Sequence, residues 1–276
     1  MRLTVALLAT GVVAFASGAG AAQQIEIAPG PPALGGYLFR PEGRGPFPGV
    51  VALTGCGGLM TRSGRVGSLF MDWGNRLAAA GFAVVFPDSL GSRGLATQCH
   101  VQVRDRKVRA THEQVADAVA ARAWLQSQPW SIKDRVALLG WSDGGVAALW
   151  AVRRRAGAAD GAAEFRSAVA LYPGCRALGN AAWSARVPTL ILIGRADDWT
   201  PAAACEQMVA GARGRSALAT LIVYPGAHHG FDRPEYPLRE LSGLASTADG
   251  SGKAHFGTNP AARADAHKRV LQWLGR

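Results

Sequence analysis

Long apolar runs are scarce in this sequence. After Ala16 no stretch approaches the ~20 consecutive apolar residues that a spanning helix needs, which excludes a bundle of membrane-spanning helices. Lysine is scarce too. Only Lys107, Lys133, Lys253 and Lys268 are present, so the 30 basic residues set against 19 acidic ones are mostly arginine. The arginines are scattered, with no aromatic-interleaved stripe and no zinc-finger spacing, which argues against a nucleic-acid partner. The formal charge of +11 reads chiefly as a solvated surface, with some bias toward anionic ligands. Cysteine is limited to Cys56, Cys99, Cys175 and Cys205, and their spacing does not resemble a metal site. No internal repeat and no low-complexity linker divides the chain.

The amino terminus carries what the rest lacks. Met1-Arg2, an apolar run from Leu3 to Ala16 and the small residues Ala19-Gly20-Ala21-Ala22 have the layout of a secretory signal peptide, with cleavage expected after Ala21 or Ala22. The domain division expected is therefore a signal peptide over 1–22 and one catalytic domain over 23–276. This places the protein in the periplasm or outside the cell. Four cysteines in an exported chain suggest two disulfides, and three pairings are open.

From residue 48 onward, buried-strand patterns alternate with helical ones. Gly49–Leu53, Phe82–Phe86, Val136–Gly140, Ala168–Tyr172, Thr189–Ile193 and Leu218–Tyr224 are short, continuous apolar runs. Phe70–Ala80, Ala110–Gln128, Val146–Ala151, Pro201–Ala212 and Ala261–Leu274 read as helices. In Ala110–Gln128 the apolar face predicted is Val115, Ala118, Val119 and Leu125. Gln24–Ile27 and Leu34–Arg40 form a hairpin-like entry, and Asp232–Asn259 is a long polar loop. The pattern defines an α/β fold: a doubly wound, mostly parallel sheet in a single domain. Ligands of such sheets bind beyond the carboxyl ends of the strands.

One junction carries a chemical signature. Val136–Gly140 runs into Gly140-Trp141-Ser142-Asp143-Gly144, a G-x-S-x-G turn, and a helix follows at once. A serine on a sharp strand-to-helix turn is thrust clear of the sheet, with free helix N–H groups behind it. Two downstream strands end in acid and histidine. Asp197-Asp198 follows Thr189–Ile193, and His228-His229 follows Leu218–Tyr224. The order Ser…Asp…His is that of a nucleophile, an orienting acid and a general base.

These residues together resemble the α/β-hydrolase superfamily, and within it the dienelactone hydrolase family, over essentially the whole mature chain. The resemblance selects Asp197, through Gly194, Asp197 and Pro201 of a G-x-x-D-x-x-x-P turn, and His229, two residues before Phe231. It departs from the family's namesake at the nucleophile, which is cysteine there and Ser142 here, so it implies a general serine esterase acting on a carboxylic ester or lactone. The oxyanion hole implied is the backbone N–H of Asp143 with that of Cys56, Gly57 being the alternative to Cys56. Thr54 replaces the histidine often found in that loop. Arg93 and Arg233 resemble the family's carboxylate-binding arginines, so the small-molecule substrate expected bears a carboxylate. No metal and no organic cofactor is implied.

Loop topology then favours one of the three pairings. Cys56 and Cys99 lie in loops after adjacent strands, and Cys175 and Cys205 do likewise, giving Cys56–Cys99 and Cys175–Cys205. A thioesterase or peptidase of the same fold is the nearest rival reading, and a non-catalytic binding protein is the rival from another class. Nothing in the sequence fixes the oligomeric state.

Overall fold

The computed structural model describes residues 22–154, 165–215 and 218–276. The export signal expected over residues 1–22 lies, but for its last residue, outside them. An eight-stranded sheet forms the centre: β1 (Gln23–Ala28), β2 (Leu34–Phe39), β3 (Phe47–Leu53), β4 (Ala83–Pro87), β5 (Ser131–Trp141), β6 (Ala168–Leu171), β7 (Thr189–Gly194) and β8 (Ala219–Tyr224). Their order across the sheet is β1-β2-β4-β3-β5-β6-β7-β8. Only β1 and β2 run antiparallel to their neighbours, and the remaining pairs are parallel. The continuous apolar runs have their cause here. A parallel strand between two helical layers buries both faces, and β4, β6 and β7 are buried at every residue.

Helices α1 (Ser68–Ala79), α2 (Glu113–Ser127), α3 (Asp143–Ala151), α4 (Arg176–Asn180), α5 (Ala202–Ala212) and α6 (Pro260–Leu274) flank the sheet. One core layer, including Trp73, Leu77, Trp141, Ile191 and Val270, lies on one face. The other, including Val51, Val85, Ala118, Leu125 and Leu138, lies on the opposite face. Three differences from the sequence reading have local causes. Helix α2 starts at Glu113 rather than Ala110, because the Glu113 carboxylate caps backward onto the Arg109 N–H at 2.8 Å and grips its guanidinium. Its buried face is Val115, Ala118, Ala121 and Leu125, while Val119 points outward at 46 % exposure. The loop 232–259 contains a ribbon, β9 (Arg239–Leu241) paired with β10 (Ala254–Phe256). Strands of three residues are too short to show alternation, so the pattern hid them.

Two disulfides brace the carboxyl-end face. Cys56 after β3 is bonded to Cys99, and Cys175 at the start of α4 is bonded to Cys205 in α5. They close loops of 43 and 30 residues, which by chain entropy stabilises the fold by about 4 kcal/mol each. Two such bonds fit an oxidising compartment. Among the described residues no helix is long and apolar enough to cross a membrane.

Candidate active site

Strand β5 delivers Ser142 to the rim of the sheet in a conformation that side chains rarely adopt, φ 55° and ψ −117°. The turn closes only because its neighbours lack side chains. A Cβ on Gly140 would strike the Gly144 carbonyl, and one on Gly144 would strike the Leu53 carbonyl. Two hydrogen bonds lock the elbow, Ser142 N–H to the Leu171 carbonyl and Val146 N–H to the Ser142 carbonyl, both at 2.9 Å. Strain of this kind persists only where the surroundings over-determine it, and here they do.

Three side chains from distant parts of the chain meet at this rim. His229 Nε2 is 3.0 Å from Ser142 Oγ, and His229 Nδ1 is 2.9 Å from Asp197 Oδ2. Both His229 and Asp197 are buried. Asp197 Oδ1 accepts from the N–H groups of Trp199 (3.0 Å) and Thr200 (2.8 Å), and the Thr200 hydroxyl donates to Oδ2 at 3.0 Å. These bonds fix the carboxylate so that one oxygen faces the imidazole. The neighbours Asp198 and His228 turn elsewhere. Asp198 pairs with His255, at 2.7 Å from its Nδ1 and 2.8 Å from its backbone N–H, while the His228 ring stands 5.4 Å from that of His255.

Asp143 is the first residue of α3, so its N–H has no partner within the helix. Its side chain turns back to pair with Arg106, whose Nε in turn donates to the Val101 carbonyl. Burial pushes the Asp143 carboxyl above the usual carboxylate range, against the pull of Arg106 and His229. The loop bearing Cys56 and Gly57 is held on three sides. Cys99 bonds the Cys56 sulfur, Gln98 N–H donates to the Cys56 carbonyl at 2.8 Å, and Gln114 donates to the Thr54 carbonyl at 2.8 Å. Cys56, Gly57 and Ser142 line one cavity of about 300 Å³, with Leu59, Phe70 and Phe256.

The two arginines part company. Arg233 lines this cavity, its guanidinium lying 5.2 Å from the centre of the Phe256 ring and 5.3 Å from that of Tyr236. Its Nε is buried and, among the described residues, has no hydrogen-bond partner. Arg93 is directed away and engaged. It makes a bidentate pair with the buried Asp117 on α2, both bonds 2.8 Å, and donates to the Ser89 carbonyl. Asp117 takes one donor from each Nη of Arg93, and Arg93 does not line the cavity that holds Ser142, so its guanidinium is held by α2 rather than presented to the serine.

A fourth acid went unnoticed in the sequence. Asp232, fully buried, accepts from Trp73 Nε1 (2.8 Å), Trp141 Nε1 (2.8 Å) and Tyr172 Oη (2.7 Å). It ties α1, the nucleophile elbow and the end of β6 to the histidine loop. The Tyr172 ring lies 4.5 Å from that of His229, and burial together with the Asp232 carboxylate pushes the Tyr172 hydroxyl well above its ordinary value, so it stays a donor. Nothing in the one-dimensional spacing marks Asp232, because its partners come from sites up to 159 residues away.

A mostly parallel eight-stranded sheet, with a serine elbow at the end of its long central strand, is the architecture of an α/β hydrolase. The model of the dienelactone hydrolase family matches residues 34–276, and the chain belongs to that family. The protein is a carboxylic ester hydrolase acting on a small molecule. Among solved structures it is similar to a candidate dienelactone hydrolase from Klebsiella pneumoniae subsp. pneumoniae, at 22% identity and a TM-score of 0.69, covering 92% of this chain and 98% of the other. A dienelactone hydrolase-like promiscuous phosphotriesterase from metagenomic libraries is 19% identical with a TM-score of 0.67, over 94% and 98% of the two chains. Esterase 2 of Thermogutta terrifontis is 17% identical with a TM-score of 0.61, over 91% and 92%. No protein of curated function matches the chain.

Proposed function

We propose that the protein is an exported serine carboxylesterase in which Ser142 attacks, His229 transfers the proton and Asp197 orients the histidine. The observation that carries this reading is the unbroken hydrogen-bond chain from Ser142 Oγ through His229 to Asp197. In the first half-reaction Oγ bonds to the ester carbonyl carbon while its proton passes to Nε2. The carbonyl electrons move onto oxygen, to which the N–H groups of Asp143 and Cys56 donate hydrogen bonds. Collapse of this adduct breaks the bond to the alkoxy oxygen, which leaves with the proton from Nε2. Water then repeats the sequence on the acyl-serine, releasing the acid and restoring the hydroxyl. Proton transfer of this kind contributes about 10²–10⁴ in rate, and each oxyanion donor about 10²–10³.

Arg233 supplies substrate selection in the same reading. A buried guanidinium nitrogen without a partner, beside the serine, suits a substrate carboxylate. The two disulfides and the amino-terminal segment support a periplasmic or secreted location. A fluorophosphonate probe tests the assignment. The wild-type protein should be modified at Ser142 with loss of p-nitrophenyl ester hydrolysis, and Ser142→Ala should neither react nor turn over. Retained turnover in Ser142→Ala would remove the proposed nucleophile.

A further inference from the structure

Ser142 stands where two cavities meet. The first, with Arg233 and Phe256, opens toward α1 and the β9–β10 ribbon. The second is larger, about 480 Å³, and opens on the side of α3, α4 and α5, sharing Cys56, Ser142 and Trp199 with the first. Val146 of α3, Pro201 and Ala204 line it, and Val103, a large apolar side chain left 57 % exposed, lines it too. Three arginines complete the lining, and they differ in what they already hold. Arg106 is paired with Asp143, and Arg109 grips Glu113 with both arms. Arg176 is exposed, and among the described residues no carboxylate pairs with it. Its backbone sits next to Cys175, whose disulfide fastens α4 to α5, so this cation stands on a rigid platform.

An ester carbonyl carries two substituents, an acyl arm and an alkoxy arm. In a lactone both belong to one ring, and a single cavity holds them. Two cavities diverging from one hydroxyl fit an open-chain ester instead. We propose that the second cavity binds one arm of an open-chain ester, an arm apolar beside the serine and ending in an anionic group held by Arg176. This inference rests on the reading of Ser142 as nucleophile.

Two matched series of esters test it. In one the alcohol is methanol and the acyl chain lengthens; in the other the acyl group is acetyl and the alcohol lengthens. Each series is made with and without a terminal carboxylate. Ala177→Phe, at an exposed position lining the cavity, should lower the long-to-short ratio of kcat/KM about tenfold or more in one series and not in the other. That is the scale of one or two excluded methylenes. Arg176→Gln should lower the preference for the terminal carboxylate in that same series about tenfold, the loss of a charge-assisted hydrogen bond. Rates are referred to serine titrated with fluorophosphonate, and Ala177→Leu repeats the test with a smaller obstruction. Wild-type selectivity in both positions' variants, or an equal fall across both series, overturns the proposal. Turnover that survives in Ser142→Ala sinks the nucleophile assignment instead. An inactive Ser142→Ala beside unaltered chain selectivity in Ala177→Phe sinks only the second cleft.

Discussion

Replacing Asp232 by alanine should destabilise the protein more than replacing any exposed acid. Three buried donors, the indoles of Trp73 and Trp141 and the hydroxyl of Tyr172, converge on this one carboxylate. Leaving a buried donor without an acceptor costs about 1–3 kcal/mol. Removing a buried charge and admitting a water offset part of that, so the net loss for Asp232→Ala is about 3 kcal/mol or more. For a domain of this size 1 kcal/mol corresponds to roughly 2–4 °C in Tm, giving a drop of about 6–12 °C. Asp232→Asn should recover most of it. Oδ2 of the aspartate receives both indole N–H groups, a place the asparagine carbonyl can take, while the amide NH₂ meets the Tyr172 oxygen and the hydroxyl reverses to accept. Calorimetry of the wild type and both variants checks this. A Tm for Asp232→Ala within about 2 °C of the wild type, or an Asp232→Asn variant no better than the alanine, would refute the reasoning.

Arg93→Gln should lower stability by about 3 kcal/mol, because it strands the buried Asp117, while KM for carboxylate-bearing esters keeps its wild-type value; chemical denaturation and steady-state kinetics separate the two effects. Arg233→Gln should do the converse, raising KM for carboxylate-bearing esters about tenfold relative to neutral ones; equal KM changes for both ester types would refute a carboxylate contact. Glu113 has a folded-state pKa lowered to about 2 from 4.5 by its hydrogen bonds and charge contact with Arg109. A depressed carboxyl contributes stability above its unfolded value and loses it as pH falls through the folded one. Acid melting curves of Glu113→Gln and wild type should therefore differ above pH 4.5 and converge as the pH approaches 2. Cys56→Ser with Cys99→Ser should lower kcat per titrated serine, since that bond anchors the oxyanion loop, while the Cys175/Cys205 pair of substitutions should act first on Tm. Stopped-flow acylation rates distinguish them.

The sequence by itself determined the sheet and its order of chemistry. Continuous apolar runs such as Val50–Leu53 and Leu190–Ile193, short and closed by turn residues, carry the pattern of doubly covered strands. The glycines flanking Ser142 record a backbone approach so close that no side chain fits. Tertiary structure alone decided what each polar residue does once the strands are side by side. It gave Arg93 to Asp117, left the Arg233 Nε without a hydrogen-bond partner among the described residues, and placed Asp232 under the elbow. The physical reason is range. Apolar burial is set by local periodicity and can be read along the chain, whereas a hydrogen bond or ion pair depends on atoms within about 3 Å, and the chain brings those together from anywhere along its length.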